Sequence, residues 1–232
     1  MKRWLKWPIR LILFFFISTI LTVVVLKWVP VYYTPLMFIR CAEQKLAGKP
    51  FLLHQTWLSE NQLPSSVKLA VVCSEDQQFF NHHGFDLEAI DKAIDFNKQH
   101  QRKRGASTIS QQTAKNVFLW PGRSFIRKGF EVYFTLLIEW IWGKDRILTV
   151  YLNVIEVGEG HYGVASAAKD YFHVTPSRVS NAQAALLAAV LPNPRKFSMV
   201  SPSAYIITRH NWILEQMNNN APLYNSKLKP TL

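Results

Sequence analysis

The chain has 232 residues, 49% of them apolar and 18% charged, with a formal net charge of +12. That length allows one domain of ordinary size plus an appendage, and the composition excludes a disordered chain. Residues 1–30 hold Lys2, Arg3, Lys6, Arg10 and Lys27 and no acid, while the remainder carries 22 basic and 15 acidic side chains. A basic remainder suits a polyanionic partner: anionic lipid headgroups, a pyrophosphate or nucleic acid. The two cysteines, Cys41 and Cys73, could pair in an oxidising compartment but are too few for a disulfide framework or a metal site, and Cys73 in its apolar stretch reads as a buried free thiol.

Residues 11–26 are uncharged and almost wholly apolar, with Ser18, Thr19 and Thr22 as the polar interruptions. The run is slightly short for a bilayer core of about 20 residues. Arg10 and Lys27 can snorkel, and Trp4, Trp7, Trp28, Tyr32 and Tyr33 can sit at the two interfaces. A cleaved signal peptide is the rival reading. The bulky sequence 28–33, where small residues should mark a cleavage site, argues instead for an uncleaved anchor. The basic flank ahead of the helix sets the N-terminus in the cytoplasm and the folded part outside.

Residues 31–60 read as a connecting segment, and 61–232 as a mainly helical domain. Helical periodicity starts at Ser66, with Gly84 as its stop, and a second helix covers 86–98. Thr108-Ile109-Ser110-Gln111 matches a capping box that opens a third. A strongly apolar helix over 125–142 closes at Gly143, and Asp145 caps the next. A glycine-rich loop spans 158–163, followed by helices over 165–172 and 181–191, the latter stopped by Pro192 and Pro194.

Four stretches put polar residues where a purely structural helix would not. Glu75-Asp76 follows directly on an apolar helix, a setting that raises a carboxyl pKa towards a general base; the structural alternative is a solvated acid pair at a helix end. His82 and His83 point apart on a helix and have no helical histidine partner, so no metal site is expected. In 105–116 a glycine and hydroxyls at a helix start, Ser107 and Thr108, offer N–H groups to an anion, and Gln111, Gln112, Lys115 and Asn116 add donors. Arg123, Arg127 and Lys128 precede Glu131 at the entrance to an apolar helix, either as an ordinary i, i+4 ion pair or as the lining of a cleft. Gly158, Gly160 and Gly163 fit a dinucleotide spacing only formally, because no βαβ context surrounds them.

In order, Glu75-Asp-x-x-Phe-x-x-His-x-Gly84, Gly105-x-Ser-Thr-Ile-x-Gln-Gln-x-x-Lys-Asn116, Arg127-Lys-x-x-Glu131, Tyr151-Leu-Asn153 with the glycine loop, and the alanine-rich segment 184–192 resemble the peptidoglycan glycosyltransferase family. This is the domain also found at the N-terminus of bifunctional penicillin-binding proteins, and the resemblance covers residues 65–200. The single anchor and the length look like the monofunctional form. Ser65-Ser66-Val67-Lys68 fits Ser-x-x-Lys but lacks its companion motifs, and it reads as a helix start. One departure is Gln183, where the family usually carries Glu.

The resemblance implies a lysozyme-like, mainly α fold with a membrane-associated subdomain, behind one N-terminal transmembrane helix. It implies inverting transfer of a growing glycan from a polyprenyl pyrophosphate to the sugar 4-hydroxyl of lipid II. Glu75 is then the base and Glu131 the second essential acid. Ser107, Thr108, Gln111, Gln112, Lys115, Asn116, Arg123, Arg127, Lys128, Asp76, Phe79 and His82 become substrate-binding candidates. No cofactor is required, though the resemblance leaves room for a divalent cation, Mg or Mn, at the pyrophosphate. Expected partners are lipid II, the growing glycan and the bacterial inner membrane, with cell-wall synthesis or division proteins left open and nucleic acid excluded. Two other classes compete: a lytic transglycosylase or lysozyme-like hydrolase, and a non-catalytic membrane-anchored lipid-binding protein.

Overall fold

The structure is a computed structural model that describes residues 6–101, 105–122, 124–224 and 227–228. Helix α1 spans Lys6–Leu26 and is long and apolar enough to cross a membrane. Its hydroxyl side chains turn back on the helix itself: Ser18 and Thr19 donate to the Phe15 carbonyl and Thr22 to that of Ser18. That bonding leaves no hydroxyl unsatisfied in an apolar medium. The end of α1 is tied to the rest of the chain. Trp142 Nε1 donates to the Val23 carbonyl at 2.7 Å, and Arg146 donates to the carbonyls of Leu26 and Val29.

The segment 31–60 contains structure of its own. Helix α2 covers Pro35–Leu46, with proline at its first position and Thr34 as its cap, and strand β1 covers His54–Gln55. Helix α3, Ser65–Glu75, opens at the Ser-x-x-Lys segment and is buried on every face from Val67 to Cys73, where all but Lys68 are apolar. Helix α4 is Leu87–Gln99, capped by Asp86. Helix α5 is Ile109–Phe118, with the Thr108/Gln111 capping box formed. Helix α6 is Phe125–Ile141 and α7 is Lys144–Val154.

Strands β2, Glu156–Gly158, and β3, His161–Tyr162, fold the glycine loop into a hairpin, followed by α8, Gly163–Ser166, and a π turn, Ala167–Tyr171. Helices α9, Asn181–Val190, and α10, Ala204–Tyr224, complete the described elements. Helix α3 packs against α9 and α10, while α5 packs against α6 and α7, and one continuous core joins the two groups. Helix α1 lies along α6, where Phe15 meets Phe130 and Tyr133 and the Thr19 hydroxyl is 2.8 Å from that of Tyr133.

Four boundaries differ from the sequence expectation. The helix from Ser66 stops at Glu75 rather than Gly84, because Asp76 swings to φ −162° and spends its carboxylate on another element. Gly143, at φ +77°, caps α7 in place of Asp145, which occupies the first turn, where its charge favours the helix dipole. The glycine loop is a small sheet of order β1-β3-β2 rather than irregular chain. The helix expected over 165–172 begins at Gly163 and relaxes into the π turn. Gly160 is required sterically: at φ +73°, a Cβ there would lie 2.5 Å from the Leu52 carbonyl oxygen. Cys41 and Cys73 are both buried and unbridged, and burial pushes the Cys73 thiol up to about 11.

Candidate active site

The acid pair at the end of α3 divides its labour. Asp76 is buried and bonded inside the protein: it accepts from the Ile109 amide at 3.0 Å and lies 3.0 Å from His82 Nε2. His82 Nδ1 accepts from the Gly84 amide at 3.1 Å, which assigns the ring proton to Nε2 and makes that nitrogen the donor to Asp76. Phe79 is fully buried beneath this turn, with the Lys144 ammonium 4.6 Å from its ring centre. The three turn residues therefore brace each other and the start of α5.

The amide of Ile109, at the N-terminus of α5, is thus occupied by the chain's own Asp76, where the sequence reading placed a substrate anion. A helix start binds whatever carboxylate reaches it, and here the turn after α3 brings one. Thr108 and Gln111 are equally occupied. Thr108 Oγ1 donates to the Gly84 carbonyl at 2.7 Å and accepts from the Gln111 amide, while Gln111 Oε1 accepts from the Thr108 amide at 3.0 Å. Ser107 is exposed beside them. Asn116 is buried, and its Nδ2 has no hydrogen-bond partner among the described residues.

Glu75 is directed elsewhere. Its Oε2 accepts from Gln112 Nε2 at 3.0 Å, and its Oε1 lies 3.1 Å from the Ser74 hydroxyl and 3.3 Å from the Arg209 guanidinium. The amide of Gln112 is oriented in turn by Tyr151, whose hydroxyl donates to Oε1 at 3.1 Å. Tyr151 is fully buried; desolvation, reinforced by the charges of Glu75 and Asp76, holds its hydroxyl protonated far above the usual range. A donor that cannot ionise fixes the amide, and the amide fixes the carboxylate. Asn153, from the same motif, clamps the backbone: it accepts from the Leu58 amide at 2.7 Å and donates to the Leu58 carbonyl.

The second acid, Glu131, is buried on α6 and carries two cations of its own helix, Arg127 at 2.6 Å and Lys128. Of the two alternatives left open by the sequence, the i, i+4 ion pair is formed, and it is formed in a buried setting. Arg123 lies outside the described residues. Lys115 sits on α5 one turn after Gln112, and its ammonium makes no hydrogen bond or ion pair among the described residues. Burial lowers its pKa from the ordinary lysine value; the charges of Glu131 and, more weakly, Glu75 oppose that shift, while Arg127 and Lys128 add to it. Helix α5 thus spans the two acids, touching Glu75 through Gln112 and holding an ammonium within electrostatic reach of both.

Sequence reasoning missed Arg209. It comes from α10, where Ile206 and Ile213 are fully buried, and an arginine three residues from one and four from the other occupies the same face. A charge in an apolar stripe is a legible signal for a buried partner. Ser110 and Lys144 were missed as well: both hold Glu139, Lys144 at 2.6 Å. Gln183, the departure from the expected Glu, completes a capping box with Ser180 at the start of α9.

A mainly helical fold in which α5 joins a carboxylate at a helix end to a second one neutralised by cations suits a glycosyl-processing enzyme of lysozyme-like build. The family model described as Transglycosylase matches residues 45–218, and the chain belongs to that family. Curated relatives named biosynthetic peptidoglycan transglycosylase agree across nearly the full length. The one from Bacteroides thetaiotaomicron is 52% identical over 94% of this chain and 88% of its own. Those from Bdellovibrio bacteriovorus and Pseudomonas aeruginosa are each 49% identical, over 91% and 90% of this chain and 85% and 90% of theirs.

Proposed function

We propose that this chain polymerises peptidoglycan glycan strands from lipid II at the outer face of the bacterial inner membrane. The acceptor's sugar 4-hydroxyl loses its proton to Glu75 and attacks the anomeric carbon of the lipid-linked donor. The anomeric C–O bond breaks with inversion, and polyprenyl pyrophosphate leaves. Such a displacement needs a base on one side and positive charge on the other.

The observation that carries this reading is the arrangement of α5 between the two acids. Gln112 aims Glu75, and Lys115 stands without a salt-bridge partner among the described residues, within the field of Glu131. Arg127 and Lys128 are already shared with Glu131, so Lys115 is the cation with charge to spare for the pyrophosphate, with Arg123 as a further candidate. A divalent cation, Mg or Mn, fits these residues poorly. Glu75, Asp76 and Glu131 are each taken up by the chain's own donors, and no step here runs through a metal.

The membrane reading rests on α1 and on the apolar side chains that α6 leaves exposed, Phe125, Ile126, Leu136 and Trp140. A patch of that kind seldom faces water. Seated in lipid beside α1, it would hold the cleft where a prenyl tail and its charged head emerge. Basic residues before α1 orient the N-terminus to the cytoplasm.

Product analysis tests the function. The full chain in detergent, given labelled lipid II in one reaction and preformed glycan strands in another, is expected to lengthen the first and leave the second intact. Shortened strands with no polymer would favour a hydrolase. No product from either would favour a binding protein.

A further inference from the structure

Away from Glu75 and Glu131, strands β1 and β3 and the π turn bring His54, His161 and Asp170 together, each able to offer one ligand atom within 4.8 Å of the others. We infer that this cluster is a binding site for a borderline divalent cation of the zinc type, held by two imidazole nitrogens and one carboxylate with a position left open to solvent. The placement follows from the fold. Parallel pairing of β1 with β3 sets His54 directly opposite His161, so the two side chains leave the same face of the sheet. The π turn, closed by the Phe172 amide on the Ala167 carbonyl, delivers Asp170; such turns are enriched at functional sites.

The two carboxylate–imidazole spacings suit a metal. Asp170 Oδ2 is 3.0 Å from His54 Nδ1 and 3.5 Å from His161 Nε2. Ligands about 2.0–2.1 Å from a tetrahedral zinc stand roughly 3.3 Å from one another. The outer contacts are also those of a ligand set. His161 Nδ1 lies 2.9 Å from the Glu159 carbonyl, which can only accept, so that nitrogen carries the proton. In the neutral ring the lone pair of Nε2 then points at a carboxylate, an arrangement that calls for a cation between them. The Tyr171 hydroxyl stands 3.3 Å from the same Nδ1, and Ser166 donates to Asp170 Oδ2 at 2.9 Å. Gly158 leaves the room for that tyrosine: a Cβ there would lie 1.9 Å from the hydroxyl oxygen. Two imidazoles and a carboxylate favour zinc over magnesium or calcium, which take oxygen donors.

His54 is exposed, so its replacement leaves the core untouched. The untagged full chain in detergent, stripped with chelator, is titrated with Zn2+ by calorimetry and with Co2+ by visible absorption. The expected result is one equivalent bound with a Kd of roughly 10 µM or tighter, together with a Co2+ spectrum of low-coordinate N/O ligation. His54→Gln and Asp170→Asn should each weaken binding by more than the roughly 10–100-fold that outer-shell partners cost. Tyr171→Phe should weaken it less, and His210→Gln, outside the cluster, should leave it unchanged. No binding near one equivalent, or binding that survives both His54→Gln and Asp170→Asn in chains with native thermal midpoints, would overturn the proposal. A proton, as an imidazolium–carboxylate pair, would then fill the gap.

Discussion

Gln112 Nε2 donates to Glu75 Oε2 at 3.0 Å while Gln112 Oε1 accepts from the buried Tyr151 hydroxyl at 3.1 Å, so a single amide joins the core to the carboxylate at the end of α3. The relay makes Glu75 a group of fixed direction. It also separates the positioning of the carboxylate from its chemistry, and the two can be probed by different substitutions. Tyr151→Phe keeps the ring and removes the donor that orients the amide. The expected outcome is a stability loss of about 0.5–1.5 kcal/mol, with kcat on lipid II reduced roughly tenfold, about 1.4 kcal/mol of barrier. KM should stay near wild type. Steady-state kinetics beside a thermal melt check both halves.

Asp76 and Glu75 are neighbours with opposite fates. Asp76→Asn cuts the charge from the His82 and Ile109 contacts that pin the turn to α5. Weakening charge-assisted bonds of a buried group costs on the order of 1.5–3 kcal/mol, so this variant should unfold several degrees below wild type. Glu75→Gln touches a half-buried group and should change the midpoint little. Melts of the two proteins side by side decide the matter, and equal midpoints would contradict this division of roles.

Glu131 neutralises the buried Arg127. Glu131→Gln leaves that guanidinium without its counter-charge, and breaking a buried pair this way costs about 3–5 kcal/mol. Arg127 Nε already lacks a partner among the described residues, so nothing nearby is poised to compensate. Denaturant titration should show the loss, and Glu131→Gln combined with Arg127→Met should recover part of it.

Lys115 contributes a pH dependence of its own. Burial, only partly offset by Glu131 and Glu75, lowers its folded-state pKa beneath the ordinary 10.5. The unfolded chain therefore binds the proton more tightly, and the charged lysine destabilises the fold at all pH values below the folded pKa. That penalty is relieved as pH rises from the folded pKa to 10.5. Lys115→Met is expected to raise the thermal midpoint at pH 7, with the gain shrinking towards pH 10.5, and to remove most polymerase activity. If the ammonium serves the pyrophosphate, wild-type kcat falls on an alkaline limb below 10.5, and Lys115→Arg moves that limb upward. A pH–rate profile of both proteins reads it.

Much of this architecture is visible in the chain because its signals are local. The Thr108/Gln111 capping box, the apolar run of α1 and the i, i+4 pair of Arg127 with Glu131 each lie within one unbroken segment of chain. What escapes is settled by distant partners. Asp76 bends the end of α3 towards an amide 33 residues away, Arg209 reaches Glu75 from 134 residues on, and His54 meets Asp170 across 116. None of these pairings has a periodic signature. The π turn and the three short strands are likewise invisible to hydrophobic periodicity, which needs longer segments to register.

The most direct test of the account compares wild type with Glu75→Gln on labelled lipid II, each in detergent and each shown folded by its thermal midpoint. The account predicts polymer from wild type and a loss of about 100-fold to 10,000-fold in the variant, the range a positioned base contributes. Polymer at equal rates from both would contradict it, remove Glu75 as the base and turn attention to Glu131.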